Sequence, residues 1–207
     1  MKKILLTTCI AAAMAFAGAA NAAILFSEDF SDEATADGTQ LNYTGFDQFG
    51  VSGGTVDLIL SGGYGITCET IGCVDLDGST GQAGLLSSPL NFLGGVTYSV
   101  NARLSGNQRG GANDTGTISV GAYTLNWNLA ASDGFADYNF SFSFATDTVA
   151  SLSFKDDGRD NIGTILDRVS ITYDDVSAVP LPASALLLIG GLGGMGALRL
   201  RRRGASA

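Results

Sequence analysis

Two short acidic stretches hold the residues best suited to binding chemistry. In CVDLDGSTGQAG, Asp75 and Asp77 share one face of a predicted strand beside a glycine-containing turn. In FKDDGRDNIG, Asp156, Asp160 and Asn161 fall between two predicted strands. Oxygens at such positions could ligate a cation or accept hydrogen bonds from sugar hydroxyls. We predict these five residues as a ligand-binding set, and the alternative for both stretches is a solvated turn.

A third acidic position predicts a metal ion. In TILDRVSITYDD, strand alternation places Asp167 on the inward face with Ile165 and Val169. A buried carboxylate without a partner costs several kcal/mol, so Asp167 requires one. Backbone N–H groups or an arginine could serve. The alternative is a structural calcium ion that is also held by Glu28 and Asp29 of the first strand.

The composition argues against catalysis and against a nucleic-acid partner. The 207 residues include no histidine, so serine and cysteine triads lack their usual base. A glycosidase requires two carboxylates, but among twenty acidic residues some pair is always present. Such a pair therefore does not indicate a glycosidase. All twenty acidic residues lie between Glu28 and Asp175, so this region is strongly negative. Binding to phosphate polymers instead requires many lysines and arginines. We therefore expect a non-catalytic protein with no nucleic-acid partner.

Two cysteines predict a small covalent loop. Cys68 and Cys73 lie in CETIGC, and after export to an oxidising compartment we expect them to form a disulfide. Closing so short a loop contributes about 2 kcal/mol. A redox or metal pair is the alternative, although a zinc site would lack histidine ligands.

Alternation of apolar and polar residues predicts strands along most of the chain. The segments VTYSVNARL, TISVGAY, TLNWNLA and DYNFSFSFA each have period two, and glycine pairs separate many of the segments. We predict nine or ten strands and one all-β domain at residues 23–175, an antiparallel two-sheet sandwich of jelly-roll type. Parity places Trp127 in the core, whereas Tyr43, Phe46 and Tyr64 are the candidates for exposed aromatic rings.

The two ends of the chain predict export and membrane insertion. Residues 1–22 combine two lysines, an apolar run and an A-x-A cleavage site, which is typical of a helical signal peptide removed by signal peptidase. Residues 183–198 are apolar and predict a short transmembrane helix after a linker and motif at 176–182. Residues 199–207 then form a cytoplasmic tail, in which the membrane stop consists of Arg199, Arg201, Arg202 and Arg203.

The C-terminal pattern resembles a known sorting signal. A glycine-rich span and arginines follow the motif Val179, Pro180, Leu181, Pro182 and Ala183, and together they resemble the VPLPA variant of the PEP-CTERM signal. The resemblance implies a Gram-negative export substrate. An exosortase-like membrane transpeptidase would recognise the motif at the inner membrane and remove the tail, leaving the protein at the cell surface or in the extracellular matrix.

The central region also resembles domains found in proteins that carry the PEP-CTERM signal. LNYTGFDQFGVSGGTVDLI, CVDLDGSTGQAG and GRDNIGTILDRVSI resemble segments of PEP-CTERM proteins with galactose-binding-like or carbohydrate-binding-module-like sandwiches. That resemblance implies a structural calcium between the first and last strands, at Glu28, Asp29 and Asp167. It also implies a setting in extracellular polysaccharide, which the protein would bind. The alternatives are a purely structural or adhesive protein, which would bury Trp127 and expose only small polar groups, and a hydrolase.

Overall fold

The structure, a computed structural model, describes residues 22–174. The predicted signal peptide up to residue 21, the sorting motif, the membrane segment and the basic tail lie outside these residues. Between residues 22 and 174, no helix has the length and apolar character needed to cross a membrane. The described residues form one compact unit.

Eleven strands and one α-helix make up the described part of the chain. The helix α1 spans Ser31–Asp37 and was not predicted. The strands are β1 Ala22–Glu28, β2 Gly50–Ser52, β3 Asp57–Leu60, β4 Gly72–Asp75, β5 Leu85–Phe92, β6 Thr97–Ser105, β7 Asp114–Val120, β8 Tyr123–Leu129, β9 Ala136–Ser143, β10 Thr148–Asp156 and β11 Ile165–Asp174.

The strands form two antiparallel sheets, which confirms the predicted fold class. The first sheet has the order β3-β4-β11-β6-β9, and the second has the order β2-β5-β10-β7-β8. In the first sheet β6 pairs along one side of β11, while β4 and β1 pair in succession along the other side. Strands distant in sequence therefore become neighbours, and their connections meet in space.

Alternation in the sequence determines which side chains fill the space between the sheets. In β6, Tyr98, Val100, Ala102 and Leu104 are buried, and the residues between them face outward. They join buried residues of the second sheet in one hydrophobic cluster. Trp127 is 3% exposed and donates a 2.8 Å hydrogen bond from Nε1 to Thr164 Oγ1, which confirms its predicted place in the core.

Of the aromatic residues predicted to be exposed, Tyr64 is exposed and Phe46 is buried. Tyr64 is 61% exposed, as predicted, in a short 3-10 helix at Gly63–Gly65. Phe46 is only 7% exposed, because its ring packs edge-on against Phe30 and Tyr43. The prediction for Phe46 is therefore wrong: the turn folds inward and adds the ring to the core.

A bulge near the start of β11 reverses which side chains face the main core. Asp167 was predicted to face the same side as Val169, and this prediction is wrong. The pairing with β6 shifts between Leu166 and Arg168, so the strand contains a bulge there. Leu166 and Val169 both pack in the main core, whereas Ile165 packs in a second cluster with the two cysteines. Asp167 is fully buried, as predicted. Its carboxylate, however, contacts the connection between β3 and β4, which contains Cys68.

We expect Gly116→Ala to destabilise the fold, because a Cβ there would collide with the Trp127 ring and the Lys155 carbonyl oxygen. The strain should lower the free energy of unfolding by about 1–3 kcal/mol in urea titration. Gly134→Ala is the matched control, since a Cβ at that position meets no atom within 4 Å. Equal stabilities for the two variants would contradict this account of the Trp127 packing.

Candidate functional site

A cleft of about 730 Å³ lies between three connections. The first is the connection between β3 and β4, residues 61–71, which is called the disulfide loop because its Cys68 is bonded to Cys73 in β4. The others are residues 106–113 and residues 130–135. The lining of the cleft is mixed: polar side chains alternate with alanines and glycines, and Phe135 contributes an aromatic ring. The larger side chains in the lining are those of Thr67, Glu69, Gln108, Asn113, Asp133 and Phe135.

The predicted disulfide between Cys68 and Cys73 is confirmed, with an S–S bond of 2.03 Å. The two cysteines are buried with Ile59, Ile66 and Ile165 in the second hydrophobic cluster, and Phe135 packs against that cluster. This packing turns the disulfide loop back over the first sheet. One wall of the cleft is therefore covalently closed and also anchored by apolar contacts.

Asp167 anchors the same loop by hydrogen bonds. Its Oδ1 accepts from the backbone N–H groups of Glu69 at 2.7 Å and Thr70 at 3.0 Å, and from the Thr70 hydroxyl at 3.2 Å. Its Oδ2 accepts from Arg168 Nη1 at 2.8 Å. The partner required for this buried carboxylate is thus a set of backbone amides and an arginine, one of the two alternatives considered from the sequence.

Gln108 joins the disulfide loop to the second wall of the cleft. Its side-chain Oε1 accepts from the Thr67 N–H at 2.9 Å, and its Nε2 donates to the Thr67 carbonyl at 3.0 Å. Both backbone groups of Thr67 are paired in this way, as they would be by a neighbouring strand. The side chain therefore acts as a clamp between the two connections.

Glu69, in the disulfide loop, forms ion pairs with two arginines. Arg103 binds both carboxylate oxygens of Glu69, at 2.7 and 2.9 Å, and Arg168 lies 3.1 Å from one of them. The hydrogen bonds from Arg103 hold the pKa of Glu69 below its usual value. Glu69 is consequently an ionised carboxylate whose charge is already balanced.

The structure brings together the two acidic stretches predicted to bind ligand. Asp77 Oδ2 accepts from the backbone N–H groups of Asp160 at 3.0 Å and Asn161 at 3.1 Å. Asp75 Oδ1 accepts from Gly163 N–H at 3.0 Å, and Asp156 Oδ1 accepts from Gly158 N–H at 2.7 Å. Asp75, Asp77 and Asp156 are completely buried, so they hold the turn closed, while Asp160 and Asn161 are exposed.

The connection at 106–113 ties this buried acidic group to the cleft. Arg109 pairs with Asp75, and the Asn107 side chain accepts from the N–H groups of Arg109 at 2.8 Å and Gly110 at 3.0 Å. Asn107 also donates to Asp114 Oδ2 at 2.8 Å. Loop residues that line the cleft are thus fixed by side chains beneath them.

Burial makes ionisation of this group unfavourable. Desolvation raises the pKa values of Asp77 and Asp156, raises that of Asp75 well above its usual range, and raises the pKa of Asp114 to about 6. Within residues 22–174, Asp77 Oδ1 and Arg109 Nε are buried without a hydrogen-bond partner. Ionisation of these carboxyl groups is therefore less favourable in the folded protein than in the unfolded chain.

The predicted metal ligands do not form one set. Glu28 and Asp29 line a second cleft of about 350 Å³ with Asp32, Glu33 and Asp47. Glu28 Oε1 accepts from the N–H groups of Asp29 at 2.9 Å and Phe30 at 2.8 Å, whereas Asp167 lies under the disulfide loop. Among residues 22–174, no three His, Cys, Asp or Glu side chains are grouped so that they could hold a metal ion. Calcium binding stays a prediction.

Sequence reasoning missed Asn107, Gln108, Asp114 and Phe135. Asn107 and Gln108 occupy an irregular connection where no period marks them, and the Gln108 backbone is left-handed, with φ +62°. Their role depends on which loops meet, and that follows from the strand order. The only available signal was two amide side chains that Arg109 separates from the glycine pair at 110–111.

Proteins of known structure with a similar chain path were found, at low identity. No family model and no curated protein matches the sequence. The CBM22-1 xylan-binding domain from Paenibacillus barcinonensis Xyn10C is 11% identical, covers 75% of this chain and 97% of that chain, and has a TM-score of 0.47. TmCBM61 in complex with β-1,4-galactotriose is 14% identical, with 64% and 97% coverage and a TM-score of 0.48. The enzymatically active domain of tailspike protein 4 from bacteriophage CBA120 is 11% identical, with a TM-score of 0.45; 64% of this chain aligns with only 20% of that one.

Asp167→Ala should loosen the disulfide loop. The change leaves the Glu69 and Thr70 N–H groups without their acceptor, so the free energy of unfolding should fall by about 2–4 kcal/mol in urea titration. Hydrogen exchange of those two amides should accelerate selectively. Asp174→Ala, at an exposed position of the same strand, is the control and should leave both measurements near wild type.

The raised pKa values predict that stability falls as pH rises. Between about pH 4 and pH 6 the folded state retains protons that the unfolded state has lost, so the free energy of unfolding decreases with pH in this window. Asp114 alone should contribute about 2–3 kcal/mol of this change. Urea titrations from pH 4 to pH 7.5 should therefore give a shallower slope for Asp114→Asn. An Asp114→Asn slope equal to that of wild type and of the exposed control Asp147→Asn would refute the assignment.

Proposed function

We propose that this protein is an exported, non-catalytic surface or matrix protein that binds extracellular polysaccharide in the cleft. The observation that supports this proposal is the cleft lining. The exposed side-chain amide of Asn113 and the hydroxyl of Ser132 lie in it together with the ring of Phe135. Polar groups that can exchange hydrogen bonds with sugar hydroxyls, beside an apolar surface, suit a glycan chain.

The electrostatics of the cleft support a binding role over a hydrolytic one. A glycosidase requires a carboxylic acid whose pKa is raised so that it can protonate the leaving group. In this cleft Arg103 lowers the pKa of Glu69, which is the opposite shift. The carboxyl groups whose pKa values are raised are those of Asp75, Asp77, Asp114 and Asp156, and all four are buried beneath the loops.

Export is supported by the disulfide as well as by the ends of the chain. A disulfide between Cys68 and Cys73 suits an oxidising compartment outside the cytoplasm. Signal peptidase would remove residues 1–22, and an exosortase-like enzyme would process the motif at 179–183 at the inner membrane. The mature protein would then reside at the cell surface or in the extracellular matrix.

A structural or adhesive role without a glycan site is the second candidate. The outer faces of both sheets carry small polar side chains that pair across strands. Examples are Ser99 with Ser141 at 2.9 Å in the first sheet, and Ser119 with Ser153 at 2.7 Å in the second. With Trp127 buried, these faces match the surface expected of a protein that builds a matrix by lateral packing.

Blocking the cleft tests the proposal. Ser132 is exposed and lines the cleft, so a Ser132→Trp ring should occupy the space needed by a glycan. We expect the affinity of the full-length protein for the producing cell's own extracellular polysaccharide to fall at least about tenfold in affinity electrophoresis. Ser151→Trp, on the outer face of the second sheet, is the matched control and should bind like wild type.

Calcium is examined in the same measurement. Binding in calcium and then in a chelator, with circular dichroism as the check on folding, separates a calcium-dependent module from a calcium-independent one. Loss of binding with an intact fold would support the predicted calcium. Absence of polysaccharide binding by the wild type under both conditions would instead favour the structural or adhesive role.

A further inference from the structure

The charged groups of the cleft indicate which polysaccharides it can bind. Among the described residues that line it, Glu69 and Asp133 carry the only formal charges, and both are carboxylates. Glu69 is paired with Arg103 and Arg168. Asp133 forms no ion pair within residues 22–174. One uncompensated negative charge therefore remains at the cleft.

We propose that the ligand is a polysaccharide with free amino groups, such as a glucosamine polymer, and that its ammonium group pairs with Asp133. This inference rests on the proposed function, because it requires that the cleft bind a glycan. It adds the chemical class of the glycan and the residue that selects it.

The backbone fixes Asp133 in a position to accept such a group. Its Oδ2 accepts from the Ala130 N–H at 2.8 Å, its N–H donates to the Ala130 carbonyl at 2.9 Å, and its carbonyl accepts from the Gly106 N–H at 3.0 Å. These contacts hold the residue in a tight turn while it remains exposed. No hydrogen bond from the described residues reaches Oδ1, which can accept from an ammonium group without disturbing the turn.

Charge complementarity distinguishes the three classes of glycan. A polymer with uronate, sulfate or phosphate groups would meet Asp133 and a domain whose acidic residues far outnumber its basic ones. A neutral polymer would offer Asp133 only an ordinary hydroxyl hydrogen bond. An ammonium group forms a charge-assisted hydrogen bond with the carboxylate, and such bonds are shorter and stronger than those between neutral groups.

The test compares a positively charged, a neutral and a negatively charged oligosaccharide. Affinities of the full-length protein for a glucosamine oligomer, for its fully N-acetylated counterpart of equal length and for an oligogalacturonate are measured by calorimetry. We expect the glucosamine oligomer to bind about three- to tenfold more tightly than the acetylated one, and the oligogalacturonate to bind least. Raising the salt concentration should reduce the preference, because the pair is partly exposed to solvent.

Asp133→Asn retains an oxygen for the Ala130 N–H but removes the charge, so it should abolish the preference for the glucosamine oligomer without unfolding the protein. Asp147→Asn is the matched control, since Asp147 is also an exposed loop aspartate that accepts a backbone N–H, from Gly94 at 2.9 Å. An equal loss in both variants would show general attraction to an acidic protein and would overturn the inference.

Two further outcomes separate this inference from the proposed function. Equal affinity of the wild type for the acetylated and the free-amine oligomers would overturn the selection by Asp133 while leaving glycan binding intact. No binding of any oligomer, together with no binding of the producing cell's polysaccharide, would overturn both.

Discussion

The structure depends on carboxylate and amide side chains that accept hydrogen bonds from the backbone N–H groups of the loops. Irregular connections carry many N–H groups that no strand can pair, and each one that is buried without an acceptor is costly. Asp167 supplies the acceptor for the disulfide loop, Asp77 for the turn after β10, and Asn107 for the connection after β6. The connections around the cleft are held from below in this way, although they contain little regular structure.

This solution has an electrostatic consequence. A carboxylate that accepts two or three N–H groups is stabilised by them, but its removal from water opposes ionisation. Asp75 obtains an arginine as well, whereas Asp77 retains an oxygen without a partner. The loops are thus held by a group of buried carboxyl groups whose ionisation is unfavourable. The disulfide and the second hydrophobic cluster offset part of that cost, because they anchor the neighbouring loop without adding charge.

Regular alternation of apolar and polar residues made the sandwich predictable. The loops and the local irregularities of the strands could not be predicted in this way. In β6 and β8 the period of two correctly identified the buried faces, including that of Trp127. The same rule failed at Asp167, because a single bulge in β11 changes the face and leaves no mark in composition. Helix α1 has only seven residues, too few for a helical stripe to stand out. The acidic stretches were predicted as a set, but their burial could not be deduced before the strand order was known.

The distribution of unpaired polar groups favours the cleft over the sheet faces as the site of the proposed recognition. On the outer sheet faces, neighbouring strands bring hydroxyls and amides into register, so side chains such as Ser119 and Ser153 satisfy each other. A glycan placed there would have to replace bonds that already exist. In the cleft the turn at 130–133 is closed by its own hydrogen bonds, one of them to Asp133 Oδ2, and the side chains of Ser132 and Asp133 remain exposed. Binding at that position adds hydrogen bonds without breaking any. A preorganised loop with unused acceptors is therefore the part of this molecule best able to select a ligand.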